Sequence, residues 1–483
     1  MGRIDCIQMI IRLWFCRKPS RGQMANAANR TLLERLKNGD GIGVRVVRSS
    51  ASIAIGNGAS QALRLVSNLA LSRLLFPEAF GLMALVTVFI TGLHMLSDAG
   101  TSPSIMRHER GDMPRFLNTV WSLQVLRGVF LWLLTIAIAP PVARLYDEPL
   151  LAQLLPVTGI SLLIAGLAPT RYETYLRHLR VTRVTLLDLG SQAISIALVI
   201  VLAWWLQSVW ALVFGTILGA AARVGLLHAF LDGHVDKFRI NREDASEILT
   251  FGRWIFLSSI SGFVVLQGDK AVLGAYLSLA ALGIYNIGYF MGIFAAQLTD
   301  VVQSKVLIPL YREASPATSS NDARVVHRLR LLLSCGGLAL LGLFAFGGTV
   351  IIELLYDPRY ASAGLIVVLI ACAQMMGLAS KVYDQAALAY GDSRGFFIVV
   401  AVRAVLQTIF LWVGAAIFGV AGALIGQGFA LLAAHVGSIV LARKHKCWDP
   451  MHDGVIISGA FVLSAGAVLV HRDGLTAFLA SGL

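Results

Sequence analysis

Asn57, Gln61, Arg64 and Asn68 recur at spacings of four, three and four within an otherwise apolar stretch. On a helix that spacing puts all four on one face, because residues three and four apart stack on the same side. An arginine in the middle of an apolar span is costly in hydrocarbon and faces a protein interior or a wet cavity. The stripe is read as a cavity wall, with Arg64 as the group that would receive an anionic ligand. Weaker versions occur elsewhere: Gln124 with Arg127, Lys270 beside Asp269 and Gln267, Arg403 with Gln407, and Asp188 with Gln192 and Ser195. Deep in the apolar runs the balance is cationic, with Arg64, Arg127, Lys270 and Arg403 set against Asp269.

Each of these residues also has a structural reading. Asp269 and its neighbour Lys270 cannot share a helix face, so either could pair with a charge on another helix. Arg223 and Asp188 lie near the ends of apolar runs, where long side chains reach the interface. His94 and Asp98 are four apart and could titrate together, which makes them, with Asp269, the groups that could couple to an ion. Gly215 with Gly219, Gly288 with Gly292, and Gly422 with Gly426 have the spacing of close helix packing. The Gly39 to Gly43 cluster lacks the lysine and the preceding strand of a phosphate loop. No metal or nucleophile constellation is recognisable, so the expectation is a protein that is not an enzyme and carries no cofactor.

The elements that must position these residues are membrane helices. The chain has 483 residues, 57% hydrophobic and only 14% charged, with a mean hydropathy of +0.74. A soluble protein has about a quarter of its residues charged. Apolar runs of about twenty residues, the length that crosses ~30 Å of hydrocarbon at ~1.5 Å per residue, recur along nearly all of it. Thirteen are predicted: 50–73, 79–98, 118–139, 149–169, 184–206, 208–230, 252–275, 281–302, 329–355, 361–381, 395–417, 419–442 and 454–471. Residues 1–49 form a basic extension in which Met24 is a second possible start, and the apolar tail from Leu475 to Leu483 is too short to cross. The five cysteines show no pairing or ligand spacing and are read as packing residues.

The net charge of +13 is distributed as a topology signal, which removes a nucleic-acid partner from consideration. Most of the 40 lysines and arginines fall before the first span, in the even-numbered loops or just after the twelfth span. The intervening loops hold only Arg73, Arg144, Arg359 and Arg472. By the positive-inside rule the N-terminus is cytoplasmic.

The chain also repeats itself. The break at 72–83 between the first two spans returns at 274–285, an offset of 202 residues that takes Gly81 to Gly283. Leu145-Tyr146-Asp147 returns as Leu355-Tyr356-Asp357, and Tyr172-Glu173 as Tyr383-Asp384. With an even number of spans in each copy, the copies enter the membrane in the same orientation and enclose a cavity between them. The expected organisation is a basic extension (1–49), a first lobe (50–230), a linker (231–251), a second lobe (252–443) and a C-terminal helix with a tail (444–483).

Three runs carry a resemblance to a known family. Leu71 to Leu82, Asp269 to Gly274 continuing into Ala281 to Tyr285, and Leu355-Tyr-Asp-Pro-Arg-Tyr-Ala361 resemble sequences of the polysaccharide transporters, the O-antigen and exopolysaccharide flippases related to multidrug-and-toxin extruders. The resemblance covers roughly residues 48 to 443. It implies a two-lobed, extruder-like bundle; with the spans and repeat above, the expected fold is an all-α polytopic membrane protein of two parallel six-helix lobes plus about one extra C-terminal helix, thirteen spans where the family commonly has 12 or 14. It also implies alternating access, moving an undecaprenyl-diphosphate-linked oligosaccharide from the inner to the outer leaflet of a bacterial inner membrane. Membrane lipids, a polysaccharide polymerase and glycosyltransferases are the expected partners. The cationic cavity would be built from Arg64, Asn68, Asn57, Gln61, Arg127, Lys270 and Arg403, matched by residue type and span. Alternatives are a cation-coupled multidrug exporter, a peptidoglycan-precursor exporter, or a non-transporting scaffold for glycosyltransferases.

Overall fold

The computed structural model describes residues 42–97, 101–313 and 320–480, and every regular element among them is helical. In chain order these are α1 (Ile42–Leu74), α2 (Pro77–Leu96), α3 (Thr101–Arg107), α4 (Pro114–Leu145), α5 (Leu151–Gly166), α6 (Arg171–Arg177), α7 (Val181–Leu206) and α8 (Val209–Phe230). Then follow α9 (Arg242–Gly274), α10 (Leu279–Glu313), α11 (Ser320–Leu355), α12 (Ala363–Ala389), α13 (Ser393–Lys444), α14 (Pro450–Val470) and α15 (Arg472–Ala480). All thirteen predicted spans coincide with helices. α1 starts before its expected span, so residues 42–49, read as extension, are helical; the basic extension up to residue 41 and Asp98 lie outside the described residues.

Among the described residues, nine helices are long and apolar enough on those grounds alone to cross a bilayer, ten if the bent pair α5–α6 counts as one span. The difference from thirteen has physical causes. α1 and α9 are diluted by the polar residues that make them interesting, α5 is only 16 residues long, and α13 contains two spans. At Phe418 and Gly419 the backbone leaves helical geometry, with Gly419 at φ +58° where glycine is favoured. The two halves of α13 then fold back on each other with Gly414 against Gly422 and Gly426 against Phe410. The other predicted glycine pairs also lie in close helix contacts, Gly215 and Gly219 on α7, Gly288 and Gly292 on α12. The tail is the short helix α15, whose Leu475 and Phe478 are buried in the core.

The two breaks meet. Gly81 lies so close to Leu279 that an added Cβ would overlap its carbonyl oxygen, and Gly283 lies in the same way against the carbonyl of Pro77. Pro77 and Leu279 are themselves 202 residues apart. The contact is therefore reciprocal, as a pseudo-twofold axis between two copies of one unit requires. Only glycine lets two helix starts approach this closely.

Further ties between the halves cluster at the same end, opposite the basic loops. The Tyr146 hydroxyl donates to the carbonyl of Ala271 at 3.0 Å, holding the end of α9. The Tyr360 hydroxyl donates to the carbonyl of Leu75 at 3.0 Å, holding the end of α1. Arg359 lies over the Phe76 ring and reaches the carbonyls of Ser72 and Arg73. At the basic end the links are ionic: Arg110 and Arg115 bind Asp244, and His108 and Arg110 bind Glu247.

Candidate functional site

Two helices line the boundary between the halves, and they are packed differently. α9 lies against α2 of the first half and against α13 and α4, with Gly92 on the Phe263 ring and Gly262 near Met95. α1, its counterpart, packs chiefly on α7. Ser52 bonds Thr182, Gly56 sits on Thr185, and Ser60 donates to Gln192 at 2.7 Å. The next face of α1 carries Asn57, Gln61, Arg64 and Asn68.

Gln61 orients that face. Its Nε2 donates to Oε1 of Gln297 on α10 at 2.6 Å, a bond between the two halves. The stripe therefore lies on the side of α1 that Gln61 turns toward the second half. Asn57 and Arg64 are exposed, and Gln61 and Asn68 are half-buried. Arg64 makes no hydrogen bond or ion pair among the described residues. A cation held mid-span without a partner keeps its full capacity to bind an anion.

The other predicted cations do not join this stripe. Arg127 donates to Ser97 Oγ at 2.9 Å and to the carbonyl of His94 at 2.6 Å, tying α4 to the end of α2. It lines a separate cavity of about 200 Å³ inside the first half, together with His94, Gln124, Tyr172, Glu173 and Arg223. Lys270 lies 4.8 Å from the centre of the Tyr289 ring. Beside it Asp269 is buried and accepts the Tyr285 hydroxyl at 2.6 Å, so this pair is held by two tyrosines one helical turn apart on α10. Asp188 and Arg223 form an ion pair at 2.9 Å, their structural reading.

Arg403 corrects the charge count. It is paired with Asp384 at 2.8 Å, with side chains 15% and 9% exposed, and Asp384 was not counted among the intramembrane acids because the tenth span was predicted to end at 381. The helix instead runs to Ala389. Its last turns can be polar because Lys381 pairs with Asp300 at 2.7 Å and Asp384 with Arg403. Among the described residues, then, Arg64 makes no ion pair or hydrogen bond, whereas Arg403 is neutralised.

Sequence reasoning also missed Gln297, which orients the stripe, and a buried group formed by His435, His452 and Asp453. His452 and Asp453 are neighbours just before the last predicted span, whereas His435 lies 17 residues earlier inside the preceding one, so spacing alone carried no signal that the three meet.

With this geometry in place, the comparisons with known proteins can be stated. The family described as "Polysaccharide biosynthesis protein" matches residues 70–363, more than half of the chain. Succinoglycan biosynthesis transport protein ExoT of Rhizobium meliloti (strain 1021) is 22% identical over 254 residues, 52% of this chain and 49% of the relative. Lipopolysaccharide biosynthesis protein WzxC of Escherichia coli (strain K12) is 21% identical over 303 residues, 62% of this chain and 61% of the relative. The chain thus spans about half to three fifths of the length of these two relatives. The structure of the lipid II flippase MurJ in an inward closed conformation superposes with a TM-score of 0.65 at 15% identity, covering 88% of this chain and 96% of that one. An inward-facing multidrug resistance MATE family transporter of the MOP superfamily gives a TM-score of 0.61 at 16% identity, covering 80% and 94%. The two-lobed helical bundle, the many apolar helices and the family match over residues 70–363 agree, and the chain, a multi-pass membrane protein, belongs to the family described as polysaccharide biosynthesis protein.

Proposed function

We propose that this protein is a flippase. It moves an undecaprenyl-diphosphate-linked oligosaccharide from the inner to the outer leaflet of a bacterial inner membrane, for exopolysaccharide, O-antigen or lipopolysaccharide synthesis. The observation that carries the reading is Arg64: a mid-span cation without a partner among the described residues, flanked by amides on the side of α1 that Gln61 turns toward Gln297 of the second lobe, where the proposal places a cleft between α1 and α10. A diphosphate needs such a donor, since a guanidinium presents a fork of N–H groups that matches phosphate oxygens. The cleft would admit the head group sideways while the lipid tail stays in the bilayer.

The positive-inside rule makes the basic end cytoplasmic. The hydroxyl–carbonyl bonds of Tyr146 and Tyr360 then close the outer end, so the cavity faces inward, where such a lipid-linked sugar is assembled. Alternating access follows as rocking of the lobes about the Gly81–Gly283 contact. Carrying about two negative charges outward across ~100 mV, inside negative, is favoured by roughly 4.6 kcal/mol at ~2.3 kcal/mol per charge. The cationic residues must stay in place for that gain to be kept. A cation-coupled drug exporter would need an acid open to the cavity and free to bind; Asp269 accepts the Tyr285 hydroxyl and Asp300 is paired with Lys381, which favours the anionic cargo. A polymerase and glycosyltransferases are proposed as neighbours in the same assembly line.

The test is polymer production in cells carrying Arg64→Ala, with the membrane level of the protein held equal. Output should fall sharply and return in part with Arg64→Lys. Normal output in Arg64→Ala would remove the proposed role.

A further inference from the structure

We propose that His435, Asp453 and His452 form a proton-binding site in the second lobe, buried beneath the basic end of the bundle. Four helices and one connection build it. Asp453, in the first turn of α14, accepts the Tyr383 hydroxyl of α12 at 2.7 Å and the Trp448 indole N–H at 3.0 Å. His452 Nδ1 lies 3.1 Å from Asp453 Oδ1, and His435 Nε2 of α13 lies 3.3 Å from Asp453 Oδ2. The remaining imidazole nitrogens each meet a serine: His452 Nε2 is 3.0 Å from Ser334 Oγ on α11, and His435 Nδ1 is 3.1 Å from Ser380 Oγ on α12. His435, His452, Asp453, Ser334 and Ser380 are all buried.

The choice of serine partners decides what the cluster can do. Asp453 fixes the Nδ1–H of His452 toward itself and faces Nε2 of His435 at ion-pair distance. A serine hydroxyl both donates and accepts. It can therefore donate to the bare nitrogen of a neutral imidazole, or rotate and accept from the N–H of a protonated one. Adding a proton needs only a hydroxyl rotation, and Asp453 between the rings compensates the charge. A backbone carbonyl or a second acid in place of either serine would have fixed one state.

A cavity of about 300 Å³ at the basic end lies beside the cluster and shares Trp448 with its surroundings; it is lined by Arg324, His327, Arg330, Trp448 and Asp449. Asp449 pairs with His327 in its wall, and its backbone meets the Tyr383 hydroxyl that binds Asp453. The other groups facing the cluster are accounted for. Arg330 of α11 lies over the rings of Tyr311 on α10 and Tyr383, and donates to the Tyr311 hydroxyl and the Cys447 carbonyl. Arg443 of α13 lies over Trp448. Lys381 and Asp384 of α12 are engaged by Asp300 and Arg403. The existence of the site is independent of the cargo. Its role rests on the transport reading, for which it names the proton as the coupled ion.

Histidine-selective nitrogen NMR of the full chain in lipid nanodiscs tests the site directly, with His435→Gln and His452→Gln assigning the signals. In the wild type the two rings should titrate as one coupled pair. Asp453→Asn should move that titration to lower pH. If that variant does not fold, His435→Gln should move the inflection of His452. Rings that stay in one state as the pH is varied, or titrate identically in these variants, would overturn the proposal. Polymer output of His452→Gln at equal protein level should lose its dependence on external pH. Retained wild-type dependence would refute the coupling role and leave flippase activity standing; loss of output in Arg64→Ala tests that activity separately.

Discussion

Helices α1 and α9 occupy the same place in the two repeats, and the position of Asn68 in the first is taken by Lys270 in the second. The first helix packs chiefly on α7 and turns a polar face toward the opposite lobe, with Arg64 exposed and without a partner. The second is enclosed by α2, α4 and α13, and its charges are engaged by Tyr285 and Tyr289. The two helices are equivalent by the repeat, yet one carries a polar face with Arg64 unpaired among the described residues and the other has its charges engaged. A charge in a span therefore has two uses, and what distinguishes them is whether a partner lies within reach.

The largest effect expected from breaking this contrast is in the second lobe. Arg403→Ala leaves Asp384 buried and unpaired, which costs about 3–5 kcal/mol. The unfolding temperature in detergent should drop markedly and the membrane level should fall, so any loss of output would track the loss of protein. Arg64→Ala should do the reverse. Stability should stay within about 0.5 kcal/mol, as for other exposed positions. Output should fall about 10- to 100-fold, the equivalent of ~1.5–3 kcal/mol for a hydrogen bond to a charged group. If Arg64→Ala instead unfolded the protein, the contrast would fail.

Lys270→Met should cost less, about 0.5–2 kcal/mol for the lost contact with the Tyr289 ring, read as a shift in the unfolding midpoint with output per molecule retained. The smallest effect concerns the outer clasp. Arg359 holds the carboxyl of Asp357 below the usual carboxylate range, with the Arg359 backbone N–H adding to the effect. A depressed folded value contributes stability above the unfolded carboxylate pKa of about 3.9 and loses it only in stronger acid. The clasp should thus be unchanged from about pH 8 to 5, and an Asp357→Asn variant should show the same pH profile of unfolding as the wild type across that window. A clasp that loosened between those values would place another titrating group at this end.

How much of this was legible in the sequence follows from what each feature depends on. The spans were readable because hydrocarbon demands an apolar run of fixed length, and the repeat because Gly81 and Gly283 must both be glycine for their helices to touch. The stripe on α1 was readable because its residues follow one helical period. Its direction was not, since Gln297 lies on another helix. The neutralisation of Arg403 was hidden because hydropathy ends a span at the first charges, here Lys381 and Asp384, whereas the folded chain continues the helix and pairs both. The His435, His452 and Asp453 group was hidden for the same reason: pairing in space has no counterpart in spacing along the chain.

The central claim is that Arg64 faces a water-filled cavity between the lobes that receives the cargo. It is tested by replacing Arg64 with cysteine in a background without other cysteines and treating membranes with a thiol reagent that cannot cross lipid. The account predicts modification from the basic, cytoplasmic side and protection by the lipid-linked oligosaccharide. A cysteine at 64 that reacts only with a lipid-soluble reagent, or that reacts equally with and without the oligosaccharide, would contradict it.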